Sequence, residues 1–94
     1  MQQEQDIGKP YIDEIRADHI IRAFDKQVKE EQLIWHKDKK DRYILAVSGE
    51  GWKLQIDNQL PVELKSDKIY PIPKETYHRL VKGNGDLILK IKEI

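Results

Sequence analysis

The sequence predicts a small all-β domain, either a sandwich or a barrel, on two observations. From residue 32 onward the chain consists of short runs rich in Ile, Val, Leu and aromatic residues, each of a length typical of one strand. Segments rich in Gly, Pro, Asn, Asp and Ser separate these runs at even spacing, which is typical of sandwiches and barrels. The predicted strands are residues 33–35, 42–47, 52–56, 62–64, 68–72, 77–81 and 87–91.

Residue alternation supports the strand prediction. Residues 52–56 alternate strictly between apolar and polar, as a half-buried strand does, and the second half of 87–92 alternates in the same way. The glycine-containing segments 48–51 and 83–85 are predicted to be hairpin turns. The first of them is not predicted to be a phosphate-binding loop, because no helical pattern follows it.

The N-terminal residues have a different character. Residues 1–10 are polar, include Gly8 and Pro10, and show no apolar periodicity. The spacing of the isoleucines in 11–22 permits a short helix, but a strand at 19–24 is preferred. We therefore expect a partly flexible arm over residues 1–18, followed by one barrel domain over residues 19–94.

Charge and composition limit the classes of partner. The 94 residues include 17 basic and 17 acidic side chains, so no net charge attracts the protein to nucleic acid or to an anionic membrane. No apolar run approaches the roughly 20 residues that span a bilayer. Residues 1–6 are polar and acidic, unlike a signal peptide, and a cytoplasmic location is expected.

The absence of cysteine limits the chemistry of any metal site. Disulfides and thiolate ligands are excluded, so a metal ion must be held by imidazole and carboxylate groups. No sequence signature of an organic cofactor is evident.

One group of residues has the composition of a metal site. His36 and Asp38 are two residues apart, and on a strand such side chains face the same way. His78 follows the loop 73–76 and must come from another strand. Two imidazoles and one carboxylate form the facial triad that is typical of non-haem Fe(II), which leaves coordination positions open. Zinc, manganese and nickel are alternative ions.

The same residues also allow a simpler interpretation. Asp38 lies in the charged run 37–42, and such runs are usually solvated loops. With three histidines and 17 acidic residues in the chain, a His-x-Asp step can also arise by chance. Residue types alone leave both interpretations open.

The spacing of these residues resembles the first of the two cupin motifs. That motif reads His-x-His, a Glu three or four residues later, and a Gly seven residues after the Glu. Here His36 takes the first place, Asp38 the second His, Arg42 the Glu, and Gly49 closes the motif.

The second cupin motif is Pro-x-Gly-x-x-His after an apolar strand. Pro73 and His78 match it, and Glu75 replaces the glycine. Residues 35–91 therefore resemble a small single-domain cupin with a degraded first motif. The resemblance implies an all-β jelly roll, also called a double-stranded β-helix barrel.

The resemblance also implies a function for the three residues. Cupins usually bind metal through two His, a Glu and the final His, so His36, Asp38 and His78 are the implied ligands of a divalent metal (Fe, Mn, Ni or Zn). Arg42 cannot be a ligand, because a guanidinium repels a cation and keeps its proton. It either binds a substrate carboxylate or phosphate beside the metal, or pairs with Asp38 or Asp41 in a metal-free pocket that binds anions or sugars.

Two further residues are predicted to contact a small-molecule ligand. The order His-x-Asp…His is also that of the 2-oxoglutarate oxygenases, and Lys90 stands about where those enzymes hold the cosubstrate carboxylate. Tyr43 is one of several aromatic residues that can line a pocket. Whether the protein is an enzyme, and of which substrate, stays open. Because small cupins commonly pair through their sheets and N-terminal strands, a homodimer is also expected, with residues 1–24 as a candidate exchanged arm.

Overall fold

Residues 9–94 are described by a computed structural model, and their regular structure is almost entirely β. The strands are β1 (Ile12–Ile15), β2 (Ile20–Phe24), β3 (Arg42–Glu50), β4 (Lys53–Ile56), β5 (Val62–Glu63), β6 (Ile69–Ile72), β7 (His78–Val81) and β8 (Asn84–Glu93). One 3₁₀ helix, Glu30–Gln32, lies between β2 and β3. No helix among the described residues is long and apolar enough to cross a membrane.

The strands form two antiparallel sheets that pack face to face. The larger sheet has the order β1-β2-β8-β3-β6 and the smaller has the order β5-β4-β7. The chain passes between the sheets four times after β3, because β4 and β5 lie in the small sheet, β6 in the large, β7 in the small and β8 in the large. This is a jelly roll, and the predicted all-β fold class is confirmed.

Two parts of the chain differ from the predicted strands. Residues 33–35 are not a strand, and this stretch joins a sheet only through a single bridge from His36 to His78. Conversely, β1 lies in the segment predicted to be an arm, where it pairs along its whole length with β2. A helix over 11–22 is therefore wrong. Residues 1–8 of the predicted arm lie outside the described residues.

Both glycine-containing segments are sheet-to-sheet crossings, so the hairpin predictions at 48–51 and 83–85 are wrong. β3 continues to Glu50, and β8 begins at Asn84. The two crossings touch: a Cβ atom on Gly83 would overlap the backbone nitrogen of Trp52 and the backbone oxygen of Glu50. Glycine is required at residue 83 because two backbones meet there, and not because a hairpin turns.

The core lies between the sheets and follows the alternation of the strands. On β8 the inward positions are Leu87, Leu89 and Ile91, and all three are buried. They pack with inward residues of β2, β3 and β4 and with Trp52, whose ring centroid lies 5.8 Å from that of Phe24. The next inward position of β8 is Glu93, which is charged. The core therefore ends in polar side chains at this end of the barrel.

The outward side of the large sheet carries many apolar side chains beside the charged Glu14, Lys90 and Lys92. Pairing across β1, β2, β8, β3 and β6 places six apolar side chains there, which we call the outer apolar face: Ile12, Ile21, Tyr43, Leu45, Ile69 and Ile88. Ile12 is 78% exposed and Ile69 is 65% exposed. Antiparallel sheets commonly turn polar residues toward water on this side, so an apolar one indicates a contact surface.

Candidate metal centre and its cavity

A cavity of about 210 Å³ lies between the two sheets at the polar end of the core. Inward strand positions form its walls, and most of them are apolar: Phe24, Ile44, Leu54, Ile72, Leu80, Leu89 and Ile91. His36, Arg42 and His78 also line it. His36 lines the cavity yet is exposed to solvent, so this polar end is the open end.

Strand alternation decides which predicted ligand-binding residues reach the cavity. Arg42 is the inward neighbour of Ile44 on β3, and it lines the cavity. Tyr43 and Lys90 lie on the opposite face of the large sheet, where Tyr43 pairs with Lys92 and Lys90 with Leu45. The predictions that Tyr43 and Lys90 contact a ligand in this cavity are therefore corrected, because both side chains point away from it.

Backbone pairing of two loops brings the candidate metal ligands together. The His36 N–H donates to the His78 carbonyl at 3.0 Å, and the His78 N–H donates to the His36 carbonyl at 2.8 Å. This two-way bridge holds the two imidazole centroids 4.3 Å apart. His36 and Asp38 were expected to share a strand face; instead, they lie in a loop that is positioned by pairing with the start of β7 and with the loop before it.

Three further hydrogen bonds hold the Asp38 segment in place. The Glu75 N–H donates to the Asp38 carbonyl at 2.7 Å. The Lys74 N–H donates to Oδ1 of Asp41 at 2.7 Å, and the Asp41 carbonyl accepts from the Ile94 N–H at 3.0 Å. The Asp38 segment is thus fastened both to the loop that precedes His78 and to the end of β8.

Hydrogen bonds determine which ring nitrogen of each histidine carries a proton. His36 Nδ1 lies 3.0 Å from the Ile34 carbonyl oxygen, and His78 Nδ1 lies 2.8 Å from the Thr76 carbonyl oxygen. Because a carbonyl oxygen can only accept, Nδ1 is the protonated nitrogen in both rings. In the neutral rings each Nε2 then carries a lone pair, which is how metal-binding histidines are commonly oriented.

The carboxylate of Asp38 faces these lone pairs. Its Oδ2 lies 3.2 Å from Nε2 of His78 and 3.3 Å from Nη1 of Arg42. The same oxygen is buried, and neither neighbour is aligned to form a hydrogen bond with it. A buried acceptor without a hydrogen bond destabilises a fold by about 1–3 kcal/mol.

Burial keeps the His78 ring neutral. It is 4% exposed, and desolvation lowers its pKa below the usual value for histidine. Nearby His36 and Arg42 lower the pKa further, while the hydrogen bond to Thr76 and the charge of Asp38 raise it. Since lowering prevails, the neutral form of the ring is favoured, and in that form Nε2 of His78 presents a lone pair to Asp38 Oδ2.

The three side chains form the one group of this kind among the described residues. One ligand atom each from His36, Asp38 and His78 lies within 4.8 Å of the other two. Two imidazole nitrogens and a carboxylate oxygen suit Fe, Zn, Ni or Mn ions. The donor set, the fixed Nδ1 protons and the unpartnered Asp38 oxygen all fit a divalent cation.

Arg42 is held by Glu93, a residue that lies outside both cupin motifs. Its Nε donates to Oε2 of Glu93 at 2.8 Å, and its Nη2 lies 2.7 Å from the same oxygen. Of the two carboxylates proposed as its partners, only Asp38 lies beside it, at 3.3 Å. The alternation of Leu87, Leu89 and Ile91 already places Glu93 on the inward side of β8, so a sequence signal for it existed.

A second arginine was also missed. Arg22 faces inward on β2, where Nε and Nη2 donate to both oxygens of Asp13 at 2.7 and 2.9 Å. Its guanidinium carbon lies 3.7 Å from the centroid of the Tyr11 ring. Arg22 and Tyr11 both line the cavity, so the segment that immediately precedes β1 forms part of its wall. The charge of Arg22 is already balanced by Asp13.

Sequence comparison adds little to this geometry. The chain matches no known protein-family profile, and no characterised protein shows significant sequence similarity to it.

Structural comparison identifies the fold. A cupin domain from Bordetella pertussis aligns with a TM-score of 0.64 at 12% identity, covering 92% of this chain and 95% of that chain. An RmlC-like cupin with a double-stranded β-helix fold from Methanocaldococcus jannaschii aligns with a TM-score of 0.63 at 17% identity, covering 90% and 81%. The chain has a small cupin fold.

A third cupin-fold relative in structure is KdgF from Halomonas sp., with a TM-score of 0.64 at 15% identity, covering 89% of this chain and 80% of that chain. At such identities the likeness establishes the fold and not the activity. The cupin resemblance seen in the two motifs is thus confirmed for the fold.

The cupin motif also explains a strained residue beside the site. Glu75, which replaces the motif glycine, has a φ of 58°, in the left-handed region. A side chain destabilises that conformation by about 1–2 kcal/mol, which is why glycine is common there. The Glu75 carboxylate lies 3.4 Å from Nζ of Lys37, but both side chains are exposed and such a pair contributes little.

Replacing Glu75 with Gly should therefore stabilise the protein by about 1 kcal/mol in urea unfolding, since the left-handed backbone is then unstrained. Glu75→Ala is the matched control, because it removes the carboxylate and keeps the Cβ atom. The alanine variant should show no gain in the free energy of unfolding. Equal stabilities for the two variants would contradict strain at this residue.

Proposed function

We propose that this protein binds one divalent transition-metal ion through Nε2 of His36, Nε2 of His78 and the Asp38 carboxylate, at the open end of a cavity for a small molecule. The observation that carries the proposal is the contact between Asp38 Oδ2 and His78 Nε2. Two lone pairs face each other there at 3.2 Å, and the oxygen has no hydrogen bond. A cation between them turns a repulsive contact into an attractive one.

The charges around the site also favour a cation. With both histidines neutral, Asp38 and Glu93 contribute two negative charges and Arg42 one positive charge, so the group is anionic. Arg42 does not cancel Asp38, because two of its three nitrogens are engaged with Glu93. The site can therefore accept a divalent ion even though an arginine lies beside it.

Each residue has a distinct role in this arrangement. The three ligands leave coordination positions for water or a ligand, and the bound ion would act as a Lewis acid on an oxygen held there. Ile34 and Thr76 fix the histidine rings through their carbonyl groups. Glu93 orients Arg42, whose Nη1 stands beside the ligand cluster and can hold an anionic group. The apolar walls exclude water from the rest of the cavity.

A metal-free binding module is the alternative, and Arg42 is the reason to retain it. In that arrangement Nη1 of Arg42 pairs with Asp38, and the cavity binds a carboxylate, a sugar or a phosphate directly. This alternative predicts that metal ions change neither the stability nor the ligand affinity of the protein.

Titration of the untagged, chelator-treated protein with Ni(II), Zn(II) and Mn(II) should reveal one site per chain by calorimetry. Because the ion binds only the folded state, a free concentration of 100 times Kd raises the free energy of unfolding by about 2.7 kcal/mol. His78→Gln should lose both effects. His19→Gln is the matched control, since His19 pairs with Asp18 outside the cavity and should keep both.

Asp38→Asn separates metal binding from folding. Its amide N–H can donate to Nε2 of His78, so the metal-free variant should be at least as stable as the wild-type protein while its metal affinity falls at least tenfold. The proposal would be contradicted if the wild-type protein bound none of the three ions. It would also be contradicted if the Asp38→Asn variant bound them with unchanged affinity.

We further propose that the protein is a homodimer that pairs through the outer apolar face. Five of the six side chains that define this face are aliphatic, and it spans all five strands of the large sheet. Exposed apolar side chains that gather on one face commonly mark a contact surface, and a two-fold contact would bury the same residues of both copies.

Sedimentation should thus give twice the chain mass of 11.2 kDa. Ile69→Lys should reduce it to the monomer, because the substitution places a charge on edge strand β6 within the buried face. Leu60→Lys is the control, since Leu60 is 84% exposed and lies outside that face. A monomeric wild-type protein, or a dimeric Ile69→Lys variant, would reject this interface.

A further inference from the structure

The size of the cavity limits its ligand. An apolar cavity of about 150 Å³ accommodates benzene, whereas pockets for drug-sized molecules begin at about 300 Å³. The cavity here measures about 210 Å³. It therefore accommodates roughly a benzene ring and one small substituent, or about eight non-hydrogen atoms on the same scale.

The walls limit the chemistry of that ligand. Inside the barrel, the side chains that line the cavity are the apolar inward residues of β2, β3, β4, β6, β7 and β8. Arg22 is charged, unlike the other wall residues, but its guanidinium already donates hydrogen bonds to both carboxylate oxygens of Asp13. Lys9 and Gln32 line the cavity too, but both are exposed. Ligand hydroxyls buried among these walls would lack partners, at about 1–3 kcal/mol each.

The charges of the open end limit the ligand further. Asp38, Arg42 and Glu93 sum to one negative charge, and a divalent ion brings the group to one positive charge. A single carboxylate neutralises it. A dianion would bring a second negative charge beside apolar walls, where the exposed, solvated Lys9 is the cation left to balance it, which is less favourable.

Arg42 is positioned to bind that carboxylate. Glu93 engages its Nε and Nη2, which fixes the plane of the guanidinium. Nη1 remains, with two N–H groups, 3.3 Å from Asp38. Since Asp38 can pair closely with only one of these two N–H groups, the other is available to donate to a ligand oxygen next to the metal.

We infer that the cavity binds a small apolar monocarboxylic acid of about eight or nine non-hydrogen atoms, with its carboxylate at the open end between the metal and Nη1 of Arg42 and its apolar part among Ile44, Leu54 and Leu80. This rests on the proposed metal site. It excludes sugars, sugar phosphates and dicarboxylic acids as the preferred ligand class.

Calorimetry on the Ni(II)-loaded full chain tests the inference with three probes of equal size. Benzoate is the apolar monoanion, benzamide is its neutral isostere, and threonate is a monocarboxylate with a polyhydroxylated chain. We expect benzoate to bind at least tenfold more tightly than either of the others. The affinity for benzoate should fall at least tenfold when the metal is removed.

Variants assign the binding to the two parts of the cavity. Arg42→Gln should weaken benzoate binding at least tenfold and leave benzamide unaffected, whereas Arg79→Gln, whose side chain stacks on Trp35 outside the cavity, should change neither. Leu80→Phe fills the apolar end without touching Arg42 or Glu93. It should abolish benzoate binding while Ni(II) still binds.

Failure of this inference is distinguishable from failure of the metal site. If Ni(II) binds but benzoate is no tighter than benzamide or threonate, the ligand class is overturned and the metal site stands. If benzoate binds equally well with and without metal, the charge argument is overturned. If Ni(II) does not bind at all, the proposed function fails first, and with it the inference.

Discussion

The candidate site depends on one backbone interaction, the two-way hydrogen-bonded bridge between His36 and His78. It is a single antiparallel pair between a loop and the first residue of β7, yet it sets the distance between the two imidazoles. Adjacent bonds from Lys74 and Glu75 then position Asp38 and Asp41. Side chains that are 40 and 42 residues from His78 in sequence are thus placed beside it by the backbone, so the cluster does not rely on a metal to form.

The cluster conflicts locally with the stability of the fold. A 94-residue domain has a small net stability, and a buried carboxylate oxygen facing a lone pair lowers it. Glu75 adds backbone strain beside it. Such conflicts concentrate at functional sites, where a ligand can relieve them. The conflict at the Asp38 oxygen is electrostatic, so a cation relieves it better than a neutral ligand does.

Much of the fold followed from local patterns in the sequence. The apolar runs and their alternation located β2 to β8, because strands that are buried on one face must alternate. The two motifs located His36, Asp38, His78 and Arg42. Alternation would also have assigned Glu93 to the inward face and Tyr43 and Lys90 to the outward face, had it been applied to those residues.

Other features depend on tertiary contacts that no local pattern shows. The glycines at 48–51 and 83–85 have the composition of hairpin turns, but a sheet crossing needs the same backbone freedom. Gly83 is required by the backbone of a segment about 30 residues away. Strand β1 exists because β2 offers an edge to pair with, and the Arg22–Asp13 pair supports it. Residues 33–35 have strand composition but find no partner strand.

The protonation of the histidine rings tests the central claim most directly. Nitrogen-detected NMR of the metal-free protein at pH 7 should show His36 and His78 protonated at Nδ1 alone, and one equivalent of Zn(II) should shift the Nε2 resonances of both while His19 stays unchanged. A proton on Nε2 of His78, donated to Asp38 and retained when zinc is added, would contradict the account.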